Sequence, residues 1–365
     1  MKQKNHYLNC SLLTLFLLMA TGCDKEFYSL DDFQSIEKID THVHINTNNP
    51  IMIEQGIEDN MRIVTINTDA FNNQPIAEQM EIALELKKQF PDRFNFATTF
   101  SMKGWDDSET WQEKTLAYLE ESFANGAIGV KVWKNIGMTY KDENDEFIMI
   151  DNPRFDPIFK YLAEQGQPLL GHLGEPKNCW LPLEEMTTHN DRKYFENNPQ
   201  FHMYHHPDHP SYEEIIQATN NMLAKNPDLD YVGIHLGSME WSVDMMAEHL
   251  DRFPRMTLDM AHRIPHLQYL SQQDREKLRN FFIDYQDRLI YSTDLQHYEN
   301  SDPDELKELI YTTWRDDWEF FVTDNTMSVW QVDGSFKGLQ LPRQVVDKLY
   351  RDNATKWWFT EELGR

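Results

Sequence analysis

The chain has 365 residues, of which 34 are lysine or arginine and 61 are aspartate or glutamate, so its formal net charge is −27. So acidic a chain is not expected to bind nucleic acid through backbone charge, and without a basic stripe a metal-dependent nuclease is improbable. Aromatic residues make up 13% of the chain, which is ample for a large apolar core.

The first 22 residues are predicted to be a targeting segment rather than part of the fold. Lys2 and Lys4 give a positive start, and an apolar stretch follows at residues 11–20. This stretch is too short to span a bilayer as a mature helix. An ordinary secretory signal and an uncleaved anchor are both possible interpretations of such a segment.

A third interpretation comes from the residues that end the segment. Leu18-Met19-Ala20-Thr21-Gly22-Cys23 resembles the lipobox of bacterial lipoproteins. The resemblance implies cleavage before Cys23, lipidation of its sulfur, and a tether at residues 23–35 that anchors the protein to a membrane of the bacterial cell envelope. Removing residues 1–22 takes the net charge from −27 to −29 and leaves Cys23 and Cys179 as the cysteines. With Cys23 lipidated no intrachain disulfide is available, so the core must hold the exported domain.

Short β-rich runs alternate with helical patterns through the rest of the chain. The predicted strands are residues 36–44, 61–68, 94–100, 127–134, 168–173, 231–235, 256–260 and 289–293. Eight strands alternating with helices over about 250 residues predict an α/β fold, a (β/α)₈ TIM barrel of the metal-dependent hydrolase type, as one domain at residues 36–365. An open doubly wound sheet is the alternative, but no Gly-x-Gly-x-x-Gly follows any strand.

Several predicted helices are marked by the residues at their ends. Residues 75–90 repeat apolar side chains at helical spacing. Asp156-Pro157 is predicted to be the N-cap and first residue of a helix that ends before Gly166. Ser211-Tyr212-Glu213-Glu214 predicts a capping box at the start of another helix.

The first predicted strand ends in Asp40-Thr41-His42-Val43-His44. Residues two apart on a strand point to the same face, so His42 and His44 can direct two imidazoles at one point. Two ligands of a metal ion must do this. Alone, the pattern fits two polar side chains near a strand end equally well.

Other strand ends carry further polar side chains. Lys131 lies in the fourth strand, and His172, His235 and Asp294 end the fifth, sixth and eighth. Function in a barrel lies at the carboxyl ends of its strands, so these side chains are predicted to meet at one site. Nitrogen-rich ligation with a carboxylate suits Zn²⁺, Mn²⁺ or Fe²⁺ better than Mg²⁺ or Ca²⁺.

Taken together, these residues resemble the amidohydrolase superfamily, most closely the amidohydrolase-related branch, which contains hydrolases and non-oxidative decarboxylases. The resemblance is carried by the motif at residues 40–44, His172, His235-Leu236-Gly237-Ser238, Asp294 and Arg351-Asp352-Asn353-Ala354. It implies that His42, His44, His172 and Asp294 bind one divalent ion of the Zn²⁺ type.

The resemblance also implies catalytic roles for two of these residues. His235 would be a fifth ligand, or a proton donor and electrostatic group beside the substrate. Asp294 would take a proton from the metal-bound water. A divalent ion lowers the pKa of bound water to about 7, and a carboxylate that touches both is placed to act as general base.

Lys131 decides how many ions are expected. In two-metal members of the superfamily a lysine of the fourth strand is carbamylated and bridges the ions. Unmodified, Lys131 could pair with a substrate carboxylate or with Glu175. We expect one ion and an unmodified Lys131, and a second ion only if this lysine is carbamylated.

The stretch between His172 and His235 is longer than the other barrel units, and it leaves the catalytic face. It is predicted to form a lid or substrate loop. Its histidine-rich part, residues 202–209, is more simply a hydrogen-bonded loop than a second metal site. Glu175 and Arg263 are candidates for substrate contact, Arg263 with an anionic group, although salt bridges would explain both.

The sequence therefore predicts an enzyme, a metal-dependent hydrolase that acts on a small-molecule ester, lactone or amide through a metal-activated water. The alternative in the same site is non-oxidative decarboxylation of an unsaturated or aromatic acid, with His235 or Asp294 delivering a proton. The alternative from another class is a non-catalytic binding lipoprotein, although none of the expected ligands is missing.

Overall fold

The computed structural model of the chain describes residues 26–70 and 74–358. The predicted targeting segment and Cys23 lie outside these residues. Within them, nine strands form one sheet in which every neighbouring pair is parallel. The strands are β1 (Lys38–Asn46), β2 (Met61–Ile66), β3 (Phe94–Thr99), β4 (Val130–Val132), β5 (Leu169–Gly171), β6 (Tyr231–Gly233), β7 (Met256–Asp259), β8 (Leu289–Ile290) and β9 (Leu295–Tyr298). Their order is β8-β7-β6-β5-β4-β3-β2-β1-β9.

The sheet closes because β8 and β9 are two halves of one interrupted strand. β8 pairs with β7 and β9 pairs with β1, so the chain between them joins the two edges of the sheet. Two backbone hydrogen bonds continue this ladder, from Thr41 N to the Tyr291 carbonyl at 3.3 Å and from Asp294 N to the His42 carbonyl at 2.8 Å. The predicted (β/α)₈ barrel is confirmed, with its eighth strand interrupted next to Asp294.

Helices alternate with the strands. The α-helices are α1 (Ile51–Glu58), α2 (Ile76–Gln89), α3 (Ser108–Ala124), α4 (Asn135–Met138), α5 (Asp156–Gln165), α6 (His189–Asn197), α7 (Tyr212–Lys225), α8 (Val243–Arg252), α9 (Ile264–Asp284), α10 (Pro303–Val322), α11 (Arg343–Asp347) and α12 (Asn353–Trp358). Short 3₁₀ helices lie at Leu30–Asp32, Pro153–Phe155, Lys177–Trp180, Leu183–Glu185, Pro199–Phe201, Met203–His205 and Ile234–Ser238, and a π-helical turn at Lys348–Asp352. A hairpin of β10 (Thr326–Met327) and β11 (Phe336–Lys337) follows α10. None of the helices in the described part of the chain has the length and apolar character to cross a membrane.

Side chains of the strands alternate between two cores, as the two-residue repeat of a strand requires. The inner core of the barrel contains Ile39, Val64, Ile66, Ala97, Leu170, Val232, Ile234, Ile290 and Ala354. Neighbouring strand residues such as Ile63, Phe96 and Leu289 belong to the large outer core beneath the helices. This alternation fixes which strand residues face the interior of the barrel.

The predicted helix signals are confirmed with one correction. Helix α2 occupies the interior of the predicted range 75–90. Ser211 and Glu214 form the predicted capping box, with the Ser211 hydroxyl accepting from Glu214 N at 3.2 Å. The N-cap of α5 is Phe155 rather than Asp156, because a 3₁₀ turn runs directly into this helix and Asp156 already has helical dihedral angles.

Several predicted strands are shorter in the structure. The fourth was expected at residues 127–134 but spans Val130–Val132, and β6 ends before His235. The reason is that the backbone leaves the sheet where it turns side chains into the site. His235 and Asp294 both have left-handed backbone angles, with φ of 58° and 69°.

The described part of the predicted tether packs on the barrel. The Tyr28 hydroxyl donates to Asp347 Oδ1 at 2.8 Å, and Phe33 is buried. The Nζ of Lys38 donates to the carbonyls of Phe33, of Ile36 at 2.8 Å and of Asp59 at 2.9 Å. These carbonyls precede β1 and β2, so the segment covers the amino ends of these strands.

Candidate metal centre and its cavity

His42 and His44 face the interior of the barrel because β1 changes face along its length. Ile39 points into the barrel, whereas Val43 and Ile45 point outward. The register with β2 shifts between Asp40 and Val43. Such an irregularity re-aims the residues that follow it. Without it, the side chains of residues 42 and 44 would point toward the helices.

Three side chains converge at the carboxyl end of β1. The Nε2 atoms of His42 and His44 are 3.3 Å apart. Oδ1 of Asp294 lies 3.2 Å from Nε2 of His44 and 3.6 Å from Nε2 of His42. Ligand bonds of about 2.0–2.1 Å in tetrahedral geometry place neighbouring ligand atoms about 3.3 Å apart. This group, which we call the triangle, could therefore hold a metal ion.

The tautomers of the two histidines also fit a cation. Nδ1 of His42 donates to Asp259 Oδ2 at 2.9 Å, and Nδ1 of His44 donates to the Ile66 carbonyl at 2.7 Å. With Nδ1 protonated, each Nε2 presents a lone pair to the triangle. Burial lowers the pKa of His42 to about 4, so this imidazole is neutral. Two facing lone pairs repel unless a cation lies between them.

Asp259 is the residue that sequence analysis missed. Besides holding His42, its Oδ1 accepts from the backbone N of His235 at 2.6 Å and of Ala261 at 3.3 Å. It therefore couples an imidazole of the triangle to the left-handed turn that carries His235. The available signal was its position at the end of β7, directly after the outward-facing Leu258.

His172 lies against His235 and outside the triangle. Nδ1 of His172 is 3.2 Å from Nε2 of His235, which in turn is 3.9 Å from Oδ2 of Asp294. Nδ1 of His235 donates to the Ala261 carbonyl at 2.6 Å. Burial lowers the pKa of both imidazoles well below the ordinary value. The structure thus brings together three of the four predicted ligands and places the fourth beside His235.

Asp40 fixes the segment that carries Asp294. Its Oδ1 accepts from Thr293 N at 3.1 Å, and its Oδ2 accepts from the Thr293 hydroxyl at 2.5 Å and from Trp314 Nε1 at 2.9 Å. Burial alone would raise the pKa of Asp294, whereas His44 and His42 in their protonated forms would lower it below the ordinary value. Asp294 is therefore an anchored carboxylate.

Lys131 and Glu175 do not form the ion pair that the sequence left open. Lys131 points into the barrel between the outward-facing Val130 and Val132, and no hydrogen-bond acceptor in the described residues reaches its Nζ. Burial lowers the pKa of Lys131 to about 8. Glu175 forms its ion pair with Lys134, which corrects the alternative that paired it with Lys131.

Arg263 is also buried, with 3% of its surface exposed. Its Nη1 donates to the His262 carbonyl at 3.3 Å, and no described acceptor reaches its Nε. No carboxylate of the described residues lies within salt-bridge distance of its guanidinium. The alternative that a salt bridge explains Arg263 is therefore not supported.

A cavity of about 950 Å³ joins these residues. Its wall includes His44, His172, His235, Asp294, Lys131 and Arg263. Asp191, Tyr194 and Phe195, which belong to the long stretch between β5 and β6, also line it. The stretch that the sequence predicts to be a lid or substrate loop thus lines the cavity.

The histidine-rich loop in the same stretch does not form a second centre within the described residues. Nε2 of His202 bonds the Leu181 carbonyl at 2.8 Å, and Nε2 of His206 bonds the Pro199 carbonyl at 3.1 Å. These rings thus use their nitrogens to fold the loop. The interpretation as hydrogen-bonded loop histidines is confirmed.

A closed parallel barrel with histidines on its first strand and an aspartate after its eighth, meeting at the cavity, defines the class of metal-dependent barrel enzymes. The family model for amidohydrolases matches residues 39–360. The chain therefore belongs to the amidohydrolase family and is an enzyme of the amidohydrolase superfamily. None of the curated proteins matches the chain.

Solved structures of similar proteins include 2,6-dihydroxybenzoate decarboxylase from Rhizobium, at 14% identity and a TM-score of 0.49 over 89% of this chain and 99% of that one. They also include 4-oxalomesaconate hydratase from Rhodopseudomonas palustris, at 11% identity and a TM-score of 0.47 over 89% of this chain and 97% of that one. A third is 5-carboxyvanillate decarboxylase from Novosphingobium aromaticivorans complexed with manganese, at 13% identity and a TM-score of 0.46 over 90% and 97%. Similarity at this level says nothing about the substrate of this chain.

Proposed function

We propose that this protein is a hydrolase that holds one divalent cation at His42, His44 and Asp294 and acts on a small-molecule ester, lactone or amide. The observation that carries the proposal is the triangle, whose sides of 3.2–3.6 Å match the spacing of ligands around one ion. Nε2 of His172 lies in the same cavity without a hydrogen-bond partner among the described residues, and it supplies a further nitrogen.

Zn²⁺ is the proposed ion, with Mn²⁺ or Fe²⁺ as alternatives, because the donors are imidazoles and one carboxylate. Bound there, the cation would act as a Lewis acid and lower the pKa of a coordinated water to near 7. We propose a single ion with an unmodified Lys131. A second ion would require this lysine to be carbamylated.

The two oxygens of Asp294 have different tasks in this proposal. Oδ1 faces the histidines of the triangle, whereas Oδ2 is turned toward His235, 3.9 Å from its Nε2. Oδ2 can therefore take the proton of the attacking water. That proton then passes to the leaving oxygen or nitrogen, directly or through Nε2 of His235, which is unprotonated because Nδ1 donates to Ala261.

Decarboxylation of an unsaturated or aromatic acid is the second candidate. It is favoured by two buried cations in the cavity, Lys131 and Arg263, neither of which forms a salt bridge with a carboxylate of the described residues. In this reaction the carbon–carbon bond to the carboxylate breaks and carbon dioxide leaves. Asp294 or His235, after taking a proton from water, then delivers it to the carbon that carried the carboxylate.

The test is to incubate the metal-loaded protein with panels of lactones, esters, amides and aromatic acids in ¹⁸O-labelled water. Hydrolysis predicts ¹⁸O in the product carboxylate and no carbon dioxide. Carbon dioxide release without ¹⁸O incorporation supports the second candidate and contradicts the first. No turnover, no stoichiometric metal and no effect of His42→Ala would support a non-catalytic binding lipoprotein.

We also propose that the protein is a lipoprotein of the bacterial cell envelope, anchored through Cys23. The lipobox-like run at residues 18–23 supports this. Cys23→Ala is expected to move the protein from the membrane fraction to the soluble fraction. Cys10→Ala, in the same leader, is the matched control and should leave the protein in the membrane fraction.

A further inference from the structure

Four exposed apolar side chains line the outer part of the cavity. Tyr194, Tyr298, Leu309 and Trp330 are 43%, 41%, 53% and 61% exposed, and they come from α6, β9, α10 and the loop between β10 and β11. Among the described residues, they make up half of the large apolar side chains that are exposed. Single exposed apolar side chains are ordinary, whereas a group of them at one cavity marks a surface that contacts a ligand or partner. We call these four side chains the mouth cluster.

Strand β9 places the mouth cluster beyond the triangle. Burial alternates along this strand, so that Leu295 and His297 are buried while Gln296 and Tyr298 are exposed and line the cavity. In the register with β1, His44 pairs with Gln296, and Tyr298 lies one two-residue repeat further along. Since a strand rises about 3.3 Å per residue, the backbone of Tyr298 lies about 7 Å beyond the level of His44. A molecule that touches both the triangle and the mouth cluster must therefore be elongated.

The loop that carries Trp330 is fastened to two helices. The backbone N of His189, at the start of α6, donates to the Gln331 carbonyl at 2.8 Å. The side-chain amide of Gln272, on α9, donates to the Asp333 carbonyl at 2.6 Å. The indole of Trp330 is therefore held at the cavity by its neighbours, although most of its surface is exposed.

The side chains around the mouth cluster favour an uncharged occupant. Gln296 and Thr312 line the same wall and carry neutral hydrogen-bonding groups. Asp316 also lines it, and a carboxylate disfavours a second anion beside it. Nζ of Lys193 lies 5.8 Å from the centre of the Trp330 ring, where it would repel a cationic group. A charged group would also have to leave water among apolar side chains, a cost that an uncharged group avoids.

We propose that the mouth cluster is an outer subsite that binds an uncharged apolar group, aryl or alkyl, of an elongated substrate whose reacting bond lies at the triangle. The inference rests on the proposed function for the position of the reacting bond. It is carried by the continuity of one cavity of about 950 Å³ from the triangle to the mouth cluster. Packing an apolar group there buries apolar area, and an aryl group adds ring–ring contact. The mouth cluster thereby selects substrates by the length and polarity of the part that lies away from the reaction.

Hydroxamates measure the subsite without turnover, because their head group chelates a metal ion and their tail can be varied. Calorimetry on the metal-loaded protein compares acetohydroxamate with phenylpropionohydroxamate and phenylvalerohydroxamate. At least one phenyl tail is expected to raise the affinity roughly tenfold or more over acetohydroxamate. Aminovalerohydroxamate, whose tail ends in an ammonium, is expected to gain less than about twofold. Equal affinities along the series, or a tighter ammonium tail, would overturn the outer subsite.

Variants locate the tail. Trp330→Ala and Tyr298→Ala are each expected to remove most of the gain from the phenyl tail and to leave the affinity for acetohydroxamate unchanged. Trp330→Phe keeps an apolar ring and should retain part of the gain. Trp241→Ala and Tyr204→Ala remove exposed aromatic side chains that are not in the cavity wall, and they serve as controls. A gain that survives both Trp330→Ala and Tyr298→Ala would contradict the proposal.

A second copy of the chain is the other occupant that such a cluster could have. Sedimentation of the wild type and of Trp330→Ala at micromolar concentration tests it. The outer subsite predicts the same mass for both proteins. A wild-type dimer that dissociates in Trp330→Ala would make the mouth cluster a protein interface and overturn the proposal.

Metal-free protein separates this inference from the proposed function. Phenylbutanol carries the apolar tail without the metal-binding head, and saturation-transfer NMR is expected to detect its binding to the wild type and not to Trp330→Ala. Binding of acetohydroxamate without any gain from a phenyl tail would keep the metal centre and reject the outer subsite. Phenylbutanol binding that depends on Trp330, in a protein that binds no metal, would do the reverse.

Discussion

Lys38 and Lys131 are both buried lysines of barrel strands, at 0% and 1% exposure, but they lie in different parts of the barrel. Burial lowers the pKa of both, of Lys38 to about 7 and of Lys131 to about 8. Lys38 donates to three carbonyls at the amino ends of β1 and β2. Lys131 lines the cavity that contains the triangle, and its Nζ has no hydrogen-bond partner among the described residues. The comparison indicates that the lysine at the amino end stabilises the fold, whereas the buried lysine at the other end has no hydrogen-bond partner among the described residues.

The largest effect is expected at the carboxyl end from Asp294→Asn. This change removes the general base, so kcat should fall by about 10²–10⁴ with the protein still folded. Steady-state kinetics on the substrate found in the panel measures it. Asp230→Asn, which alters an acid just before the amino end of β6, is the control and should change kcat less than twofold. An Asp294→Asn enzyme with more than a tenth of wild-type kcat would exclude Asp294 as the base.

Lys38→Met should have the next largest effect, and on stability rather than activity. Three carbonyls would lose their donor, at about 1 kcal/mol each or somewhat more. Urea unfolding is therefore expected to show a loss of about 2–4 kcal/mol in the free energy of unfolding, with kcat unchanged. A stability within 0.5 kcal/mol of wild type would show that water replaces the ammonium, and the contrast between the two lysines would fail.

Asp259→Asn should weaken metal binding without abolishing it. Asp259 does not belong to the triangle but fixes the tautomer of His42 and the turn at His235. Loss of such a supporting carboxylate costs about 10- to 100-fold in metal affinity. Competition with a chelator measures this affinity. An unchanged affinity would mean that Asp259 supports only the backbone.

Lys131→Met should stabilise the metal-free protein, the opposite sign from Lys38→Met. Removing a buried charge that has no hydrogen-bond partner among the described residues is expected to raise the free energy of unfolding by about 1–2 kcal/mol. Parallel urea unfolding of the two lysine variants gives the comparison directly. A loss of stability in Lys131→Met would reveal a structural partner for this lysine.

The last effect is a pH dependence at Asp317, whose hydrogen-bond partner among the described residues is the Tyr291 hydroxyl at 2.8 Å. Burial raises the pKa of Asp317 to about 8. The folded protein therefore keeps a proton that the unfolded chain releases near pH 4, so this contribution to stability is complete below about pH 4 and is lost as the pH rises through about 8. Between pH 5 and pH 9 the free energy of unfolding of wild type should therefore fall further than that of Asp317→Asn, whose side chain has no proton to release. Parallel curves for the two proteins would contradict this.

Strand ends were the part of the site that the sequence predicted well. His42, His44, His235 and Asp294 follow apolar runs, and a closed barrel brings the carboxyl ends of such runs together. The turn angles at His235 and Asp294 could not be predicted, because the sequence around them continues the strand pattern. Predicted strands were therefore too long at these points.

Other features depend on long-range contacts that a linear pattern does not show. The shift in β1 arises from its pairing with β2, and it decides which face His42 occupies. Asp259 acts by holding His42, which is distant in sequence. In the sequence alone, Asp259 resembles an ordinary strand residue. From the sequence, Glu175 could pair with Lys131 or with Lys134, and only the structure shows that Lys134 is its partner.

Anomalous diffraction at the metal edge, from crystals of the metal-loaded protein, tests the central claim most directly. A single peak is expected at about 2.0–2.2 Å from Nε2 of His42, Nε2 of His44 and Oδ1 of Asp294, with an unmodified Lys131. Two peaks about 3.5–4 Å apart bridged by a carbamylated Lys131 would contradict the one-ion centre. The absence of a peak at the triangle would contradict a metal centre there altogether.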